Sequence, residues 1–190
     1  TIGLLAVSTL LGWGLGILLG MFSGYFANQK WVAMLDTIIM GLYPIPYYIM
    51  ALTLVLLLTY VLPIFPILGG AGIGIKPAFN WTFISSVVRH GFLPALSLVL
   101  AAVGWSYMSQ RALVSTVITS DFVMYAEAAA LPRRKILLQY ILRNSLLPQI
   151  TDLALSLGVI FGGALITEYV FSYPGVGQIL YTAILQGDFN

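Results

Sequence analysis

The sequence contains no cysteine and only one histidine, and both shortages exclude classes of site. Without cysteine the chain can form neither a disulfide nor a thiolate metal site. His90 alone cannot supply the several imidazole ligands of a histidine metal centre. We therefore expect no metal site and no cofactor held by this chain.

Charged residues are also scarce: they make up 7% of the 190 residues, whereas hydrophobic residues make up 60%. Soluble domains average roughly a quarter charged residues, so this chain has too few charges to cover a water-facing surface. Its many large apolar residues also exclude a disordered composition. We therefore predict a chain solvated mostly by lipid, and the net charge of +2 is too small to indicate a nucleic-acid partner.

Four stretches are apolar enough, and long enough, to cross a bilayer, which takes about 20 residues of helix. The predicted helices cover residues 2–26, 33–61, 93–116 and 146–171. Pro44 and Pro46 should kink the second, because each removes a backbone donor. The fold class is thus an all-α polytopic membrane protein with about four transmembrane helices, followed by a short amphipathic helix over 176–186.

The first predicted helix has glycine at every fourth position over much of its length: Gly12, Gly16, Gly20 and Gly24. This spacing puts small residues on one side, where another helix can approach closely. Glycine is also common in membrane helices generally. Four glycines at this regular spacing on one helix side favour a close contact with another helix.

Basic residues are unequally divided between the predicted loops. Six of the eight lie in the 27–31 loop and the 111–148 region: Lys30, Arg111, Arg133, Arg134, Lys135 and Arg143. The positive-inside rule then places 111–148 in the cytoplasm, with the 62–90 loop and the 172–190 tail outside.

No catalytic chemistry is evident. The glycine-rich stretch 69–76 lacks the Gly-Lys-Ser/Thr of a phosphate-binding loop, and no nucleophile lies near a base in the sequence. Asp152 and Glu168 lie about 24 Å apart along one helix. That separation favours interfacial anchoring or helix capping over a proton relay.

The segment 120–145 is polar and amphipathic, and we predict a short helix, a turn and a second helix outside the membrane. Its middle, Ala126–Ala130, is rich in small residues, which bury little area in lipid but allow a partner protein to pack closely. We expect a partner groove against Ala126, Ala128, Ala129 and Ala130, with Tyr125 and Leu131 as larger anchors. The alternative is an interfacial helix whose basic residues lie on anionic lipid.

This segment resembles the cytoplasmic EAA loop of permeases of ABC importers, in the oligopeptide/dipeptide branch. The resemblance lies in Asp121–Leu131, Arg134 and Leu142–Pro148, with further blocks at Ile45-Pro46-Tyr47, His90–Leu96, Glu168–Gly177 and Asp188. The blocks follow the family's order along nearly the whole chain. Two details depart from the family: its glycine after the EAA stretch is Ala130 here, and the literal Glu127-Ala128-Ala129 is displaced by three positions.

The resemblance implies a MetI-like permease core formed by residues 1–190 as a single domain, with a coupling segment at 120–145. A helix before Thr1 and another after Asn190 would be missing. The implied ATPase-coupling residues are Asp121, Met124, Tyr125, Ala126, Glu127, Ala128, Ala129, Ala130, Leu131 and Arg134. The implied external gate consists of Glu168, Pro174, Gly175 and Gly177.

The implied partners are a second permease subunit, two ATPase subunits that hold ATP and Mg²⁺, and an external solute-binding protein. The implied location is the plasma membrane of a prokaryote. An ion- or proton-coupled secondary transporter remains the alternative. The substrate stays open between peptide, oligosaccharide and nickel, although uncharged aromatic residues available to line a pathway suit a neutral solute: Tyr43, Tyr47, Tyr48, Trp105 and Tyr107.

Overall fold

The structure is a computed structural model that describes residues 1–66 and 69–187, without the side chains of 159–164. Asp188 lies outside the described residues. The described part is helical and contains no strand. The helices are α1 (Ile2–Tyr25), α2 (Lys30–Leu42), α3 (Tyr47–Val55), α4 (Trp81–Ile118), α5 (Asp121–Ala128), α6 (Arg133–Lys135), α7 (Arg143–Phe171) and α8 (Val176–Gln186). Two π-helical segments, Leu56–Val61 and Ile136–Leu142, continue α3 and α6.

The all-α membrane character is confirmed, but fewer spans are identified than the four predicted. In the described part of the chain, α1 and α4 are long and apolar enough to cross a membrane, and a third span is present if α2 and the helix from Tyr47 to Val61 count as one broken span. α7 includes residues 159–164, whose side chains are not described.

The prediction of one kinked helix over 33–61 is wrong, because the helix is interrupted. α2 ends at Leu42, and α3 begins at Tyr47 after an extended Pro46 with ψ of 139°. Neither Pro44 nor Pro46 has an N–H to donate, so two donors of the helical ladder are lost within three residues.

Two other helices begin earlier than predicted. α4 begins at Trp81 rather than near residue 93, because the Asn80 side chain accepts the N–H of Phe83 at 2.8 Å and caps the first turn. Residues 81–90 are therefore helical, and Pro94 lies inside α4. Likewise Pro148 lies inside α7, so the helix predicted to begin near 146 already begins at Arg143.

The chain divides into two compact units. Unit 1 contains residues 1–9, 45–99 and those from 158 onward, and its buried cluster is Ala51, Leu93, Phe171 and Tyr173. Unit 2 contains residues 10–44 and 100–157, and its buried cluster is Met21, Val114, Val123, Ala126, Ile136 and Ile141. The single permease domain over 1–190 stays a prediction.

Within unit 2, the glycine face of α1 packs directly on α4. A Cβ on Gly16 would lie 2.6 Å from the Cβ of Ser106, and one on Gly20 would lie 2.6 Å from the carbonyl oxygen of Tyr107. A Cβ on Gly24 would lie 2.7 Å from the side chain of Val114. The predicted close helix contact is therefore present at these three glycines.

Candidate functional site

The segment predicted to couple to a partner is a short helix with a defined end. α5 begins at Asp121, and its end is closed by two backbone hydrogen bonds. The N–H of Leu131 donates to the Ala126 carbonyl at 3.2 Å, and the N–H of Ala130 donates to the Glu127 carbonyl at 2.9 Å. This pair of bonds is the Schellman arrangement of a helix C-terminus.

Ala130 occupies the left-handed position of this turn, with φ of 54°. Glycine usually takes this position, because a Cβ there costs roughly 1–2 kcal/mol. Ala130 is also where the sequence departs from the family's glycine. The turn is therefore formed despite that departure, with an alanine held in a conformation that does not favour it.

The two faces of α5 have different surroundings. Val123 and Ala126 are buried in the cluster of unit 2, and Leu131 is half-buried against the same cluster. The expected partner contact at Ala126 does not fit this burial, since its methyl group packs inside the chain. The implied coupling residues that are exposed are Asp121, Met124, Tyr125, Glu127, Ala128, Ala129, Ala130 and Arg134.

A charged network that no local sequence pattern predicts joins three helices of unit 2. The guanidinium of Arg111 on α4 donates to Asp36 Oδ2 on α2 at 2.8 Å and to Ser23 Oγ on α1 at 2.9 Å. The hydroxyls of Ser23 and Tyr107 both donate to Asp36 Oδ1. Arg111 was counted only as a basic loop residue, whereas its charge is paired inside the helix bundle.

Two glutamines join α4 to α7 in the same unit. Gln110 donates to the Ser145 hydroxyl at 2.7 Å, and Gln149 donates to the Ser109 hydroxyl at 2.8 Å. Both glutamines are fully buried. Such interhelical bonds stabilise membrane helix pairs by about 0.6 kcal/mol on average, so they contribute mainly to the register of the two helices.

In unit 1, the residues of the predicted external gate lie together around the start of α8. Glu168 is 1% exposed, and its Oε2 accepts the N–H of Gln178 at 2.8 Å. Because that N–H belongs to the first turn of α8, the carboxylate caps the helix and lies near the positive end of its dipole. The helix-capping interpretation of Glu168 therefore fits the structure.

The glycines of this turn leave space for that carboxylate. A Cβ on Gly175 would lie 1.8 Å from Glu168 Oε1, and one on Gly177 would lie 3.0 Å from Glu168 Oε2. Pro174 packs against Gly70, where a Cβ would lie 2.8 Å from the proline ring. Side chains larger than glycine at 175 would therefore displace the cap of α8.

The chain enters this turn through a second Schellman end. The N–H of Tyr173 donates to the Glu168 carbonyl at 2.9 Å, and the intervening Ser172 is left-handed with φ of 46°. Burial raises the pKa of the Tyr173 phenol above its ordinary value, because it disfavours the charged phenolate. A cavity of about 520 Å³ lies beside the turn, lined by Glu168, Gly175, Gly177 and the first residues of α1.

The aromatic residues predicted to be available for a pathway lie in different environments. Tyr107 is fully buried and bound to Asp36, so it cannot line a pathway in this conformation. The Tyr47 hydroxyl shares a hydrogen bond with Thr167 at 2.7 Å. Tyr43, Tyr48 and Trp105 are exposed, and the Trp105 indole donates to Asp152.

Comparisons with known proteins agree on one family. Residues 16–190 match the family described as "Binding-protein-dependent transport system inner membrane component". The chain is 36% identical over 110 residues to the "Probable D,D-dipeptide transport system permease protein" of Escherichia coli K12, covering 58% of this chain and 32% of that protein.

Two further relatives align with most of this chain. It is 28% identical over 187 residues to the "Di/tripeptide transport system permease protein" of Pseudomonas aeruginosa, covering 90% of this chain and 56% of the relative. It is 30% identical over 191 residues to the "Putrescine export system permease protein" of Escherichia coli K12, covering 92% and 59%. The chain thus spans less than two thirds of the length of each of these relatives.

Proposed function

The chain belongs to the family of inner membrane components of binding-protein-dependent transport systems, and from this premise we propose that it is the permease subunit of an ATP-driven importer. In this proposal it is a multi-pass protein of a prokaryotic plasma membrane. It pairs with a second permease subunit and receives its solute from an external binding protein. ATP and Mg²⁺ bind to two separate ATPase subunits. The family is one of transport permeases and not of enzymes.

The coupling role rests on one observation, the exposed outer face of α5. Met124 and Tyr125 are 59% and 74% exposed, beside the exposed methyl groups of Ala128 and Ala129. Meanwhile Val123 and Ala126 fix the opposite face to the unit 2 cluster. A short helix attached to its own bundle can transmit a rigid-body movement from a partner that binds its outer face.

The burial pattern selects the substitution that tests this role. Tryptophan at Ala126 would overpack the chain's own core, and at Ala130 it would add to the strain of a left-handed residue. Ala128→Trp avoids both problems, because Ala128 is exposed and helical. Overpacking a contact typically costs about 1–3 kcal/mol, which weakens an interface by roughly fivefold to more than a hundredfold.

The measurement is co-purification of the full-length permease pair with its ATPase subunits, together with substrate-stimulated ATP hydrolysis in liposomes. Ala128→Trp should reduce both, whereas Ala27→Trp, at an exposed alanine of the loop after α1, should reduce neither. Full association and stimulation in Ala128→Trp would show that α5 is not the coupling element.

The same assembly distinguishes the transport mechanisms. An ATP-driven importer requires ATP on the side of the ATPase subunits, whereas a secondary transporter requires an ion gradient and no ATP. One relative is named for export, so direction is also measured, with ATP supplied on one side of the vesicle at a time. Accumulation driven by an ion gradient alone would refute the proposal.

For the substrate, we propose a peptide rather than an oligosaccharide. Two of the relatives are named for dipeptides or tripeptides, and a third for putrescine. The substrates in these names share a protonated amine. The identity of the ligand that co-purifies with the partner binding protein tests this choice directly.

A further inference from the structure

Tyr43, Trp105 and Asp152 form a small cluster in unit 2 that the coupling segment and the external turn do not use. The indole N–H of Trp105 donates to Asp152 Oδ2 at 2.8 Å. The rings of Tyr43 and Trp105 are stacked, with centroids 6.3 Å apart and an interplanar angle of 29°. Both rings remain open to the surroundings, with 43% and 52% of their residue surfaces exposed.

The backbone around the cluster permits this arrangement. Tyr43, at the end of α2, lies directly on Gly104 of α4, where a Cβ would be 3.3 Å from both the Cα and the ring of Tyr43. A larger residue at 104 would push the tyrosine away from Trp105. The indole is also held in place by its bond to Asp152. The two rings and the carboxylate are therefore positioned before any ligand arrives.

Asp152 forms no ion pair in the part of the chain that the structure describes. Within residues 1–66 and 69–187, the only ion pair is that between Arg111 and Asp36. Asp152 lies in the helix that continues into the apolar run Leu153-Ala154-Leu155. An uncompensated carboxylate facing lipid chains is unfavourable, and ionisable residues in membrane helices usually face a hydrated cavity or a partner.

The chemistry of the cluster selects a cationic ligand. Trp105 occupies one carboxylate oxygen, and the other has no hydrogen bond within the described residues. Carboxylate oxygens accept strong hydrogen bonds from ammonium groups, and the faces of exposed aromatic rings attract cations. A protonated amine neutralises the carboxylate and contacts a ring at once, whereas a neutral sugar can bond the carboxylate and stack on a ring but leaves the charge of Asp152 uncompensated.

We propose that Tyr43, Trp105 and Asp152 bind the protonated amine of the transported solute as it passes through the permease. This inference rests on the proposed function and specifies its substrate class as solutes with a free amino group. It also replaces the expectation of a neutral solute, because that expectation rested on the aromatic residues alone and not on the carboxylate beside them.

Cysteine labelling tests the proposal, because the chain has no cysteine of its own. Ser156→Cys places a thiol one helical turn after Asp152, at an exposed position. The complete transporter, carrying this substitution, is treated in liposomes with a trimethylammonium or a sulfonate methanethiosulfonate reagent of similar size. Labelling of this chain is followed by mass. The cationic reagent should react faster than the anionic one.

Asp152→Asn in the Ser156→Cys background should reduce that cation preference by about tenfold or more, since one nearby charge is lost. Asparagine keeps an oxygen for the Trp105 N–H, so the cluster should remain folded. Thr151→Val, at an exposed position next to Asp152, is the matched control and should leave the preference unchanged. Asp152→Asn should also raise the KM for ATP-driven uptake of a dipeptide.

The outcomes separate the two proposals. If the Ser156→Cys assembly performs ATP-driven uptake but Asp152→Asn leaves the cation preference and the KM unchanged, the amine site is refuted and the importer proposal stands. If neither reagent labels the thiol, the face does not border water and the amine site is also refuted. If the unmodified assembly shows no ATP-driven uptake, the proposed function fails and the amine site fails with it.

Discussion

The contact between α1 and α4 allows a stability prediction with an internal control. At Gly20 an added Cβ would lie 2.6 Å from the Tyr107 carbonyl oxygen and 3.0 Å from the Gln110 Cβ. The first of these atoms belongs to the backbone and cannot rotate away. At Gly14, on the same helix, an added Cβ would meet no atom within 4 Å. Gly20→Ala and Gly14→Ala therefore differ only in what the methyl group meets.

The magnitude follows from two opposing terms. Alanine in place of a helical glycine favours the helix by about 1 kcal/mol, and this gain is common to both variants. Overpacking at Gly20 costs about 1–3 kcal/mol, because α4 must shift to accept the methyl group. We expect Gly14→Ala to be neutral or up to about 1 kcal/mol more stable than the unmodified protein. Gly20→Ala should be about 1–3 kcal/mol less stable than Gly14→Ala.

The assay is unfolding of the full-length permease in detergent, with both variants measured against the unmodified chain under one set of conditions. Comparing the two alanine variants removes the helix-propensity gain from the result. Equal stability of the two variants would mean that α1 and α4 do not approach as closely as their backbones indicate.

Three further outcomes are expected. Ala130→Gly should stabilise the end of α5 by about 1 kcal/mol, because glycine adopts a left-handed φ without strain. Ala129→Gly should give no such gain, because Ala129 has an ordinary φ of −76°. Hydrogen exchange of the segment measures both variants, and equal effects would contradict the turn geometry. On intact cells, an impermeant thiol reagent should label Asn80→Cys and not Ser120→Cys, since the positive-inside rule predicts that 111–148 lies in the cytoplasm; the reverse pattern would contradict the predicted topology. Gly175→Val should impair uptake more than subunit assembly, because a Cβ would overlap the carboxylate that caps α8; a variant with normal uptake would exclude this turn from the gate.

Local patterns predicted the elements whose causes are local. α1 follows an uncharged and largely apolar run, and α8 occupies the predicted range because the predicted break at 172–175 separates it from α7. Proline was a poor indicator of where the long helices begin. The helix starts predicted near 93 and 146 put Pro94 and Pro148 in first turns, yet both lie farther inside their helices, where neighbouring groups in a packed membrane bundle can compensate for the missing donor.

The contacts that were missed join residues far apart in the sequence. Nothing near Asp36 or near Arg111 indicates that the two form an ion pair, since the bond depends on how α2 packs against α4. The burial of Ala126 had a local signal: Val123 and Ala126 are three residues apart and share one helix face. The composition of the alanine run concealed that periodicity, so the whole run was assigned to a partner.

The π-helical turn at Ile136–Leu142 has a consequence for comparing this chain with its relatives. A π turn holds about one residue more than an α turn. Removing one residue there would let the segment close as an ordinary α-helix, and the helix that follows would keep its orientation. Ser145 and Gln149 would then still face Gln110 and Ser109. A relative that is one residue shorter in this segment can therefore present the same side chains to α4, with an α turn in place of the π turn.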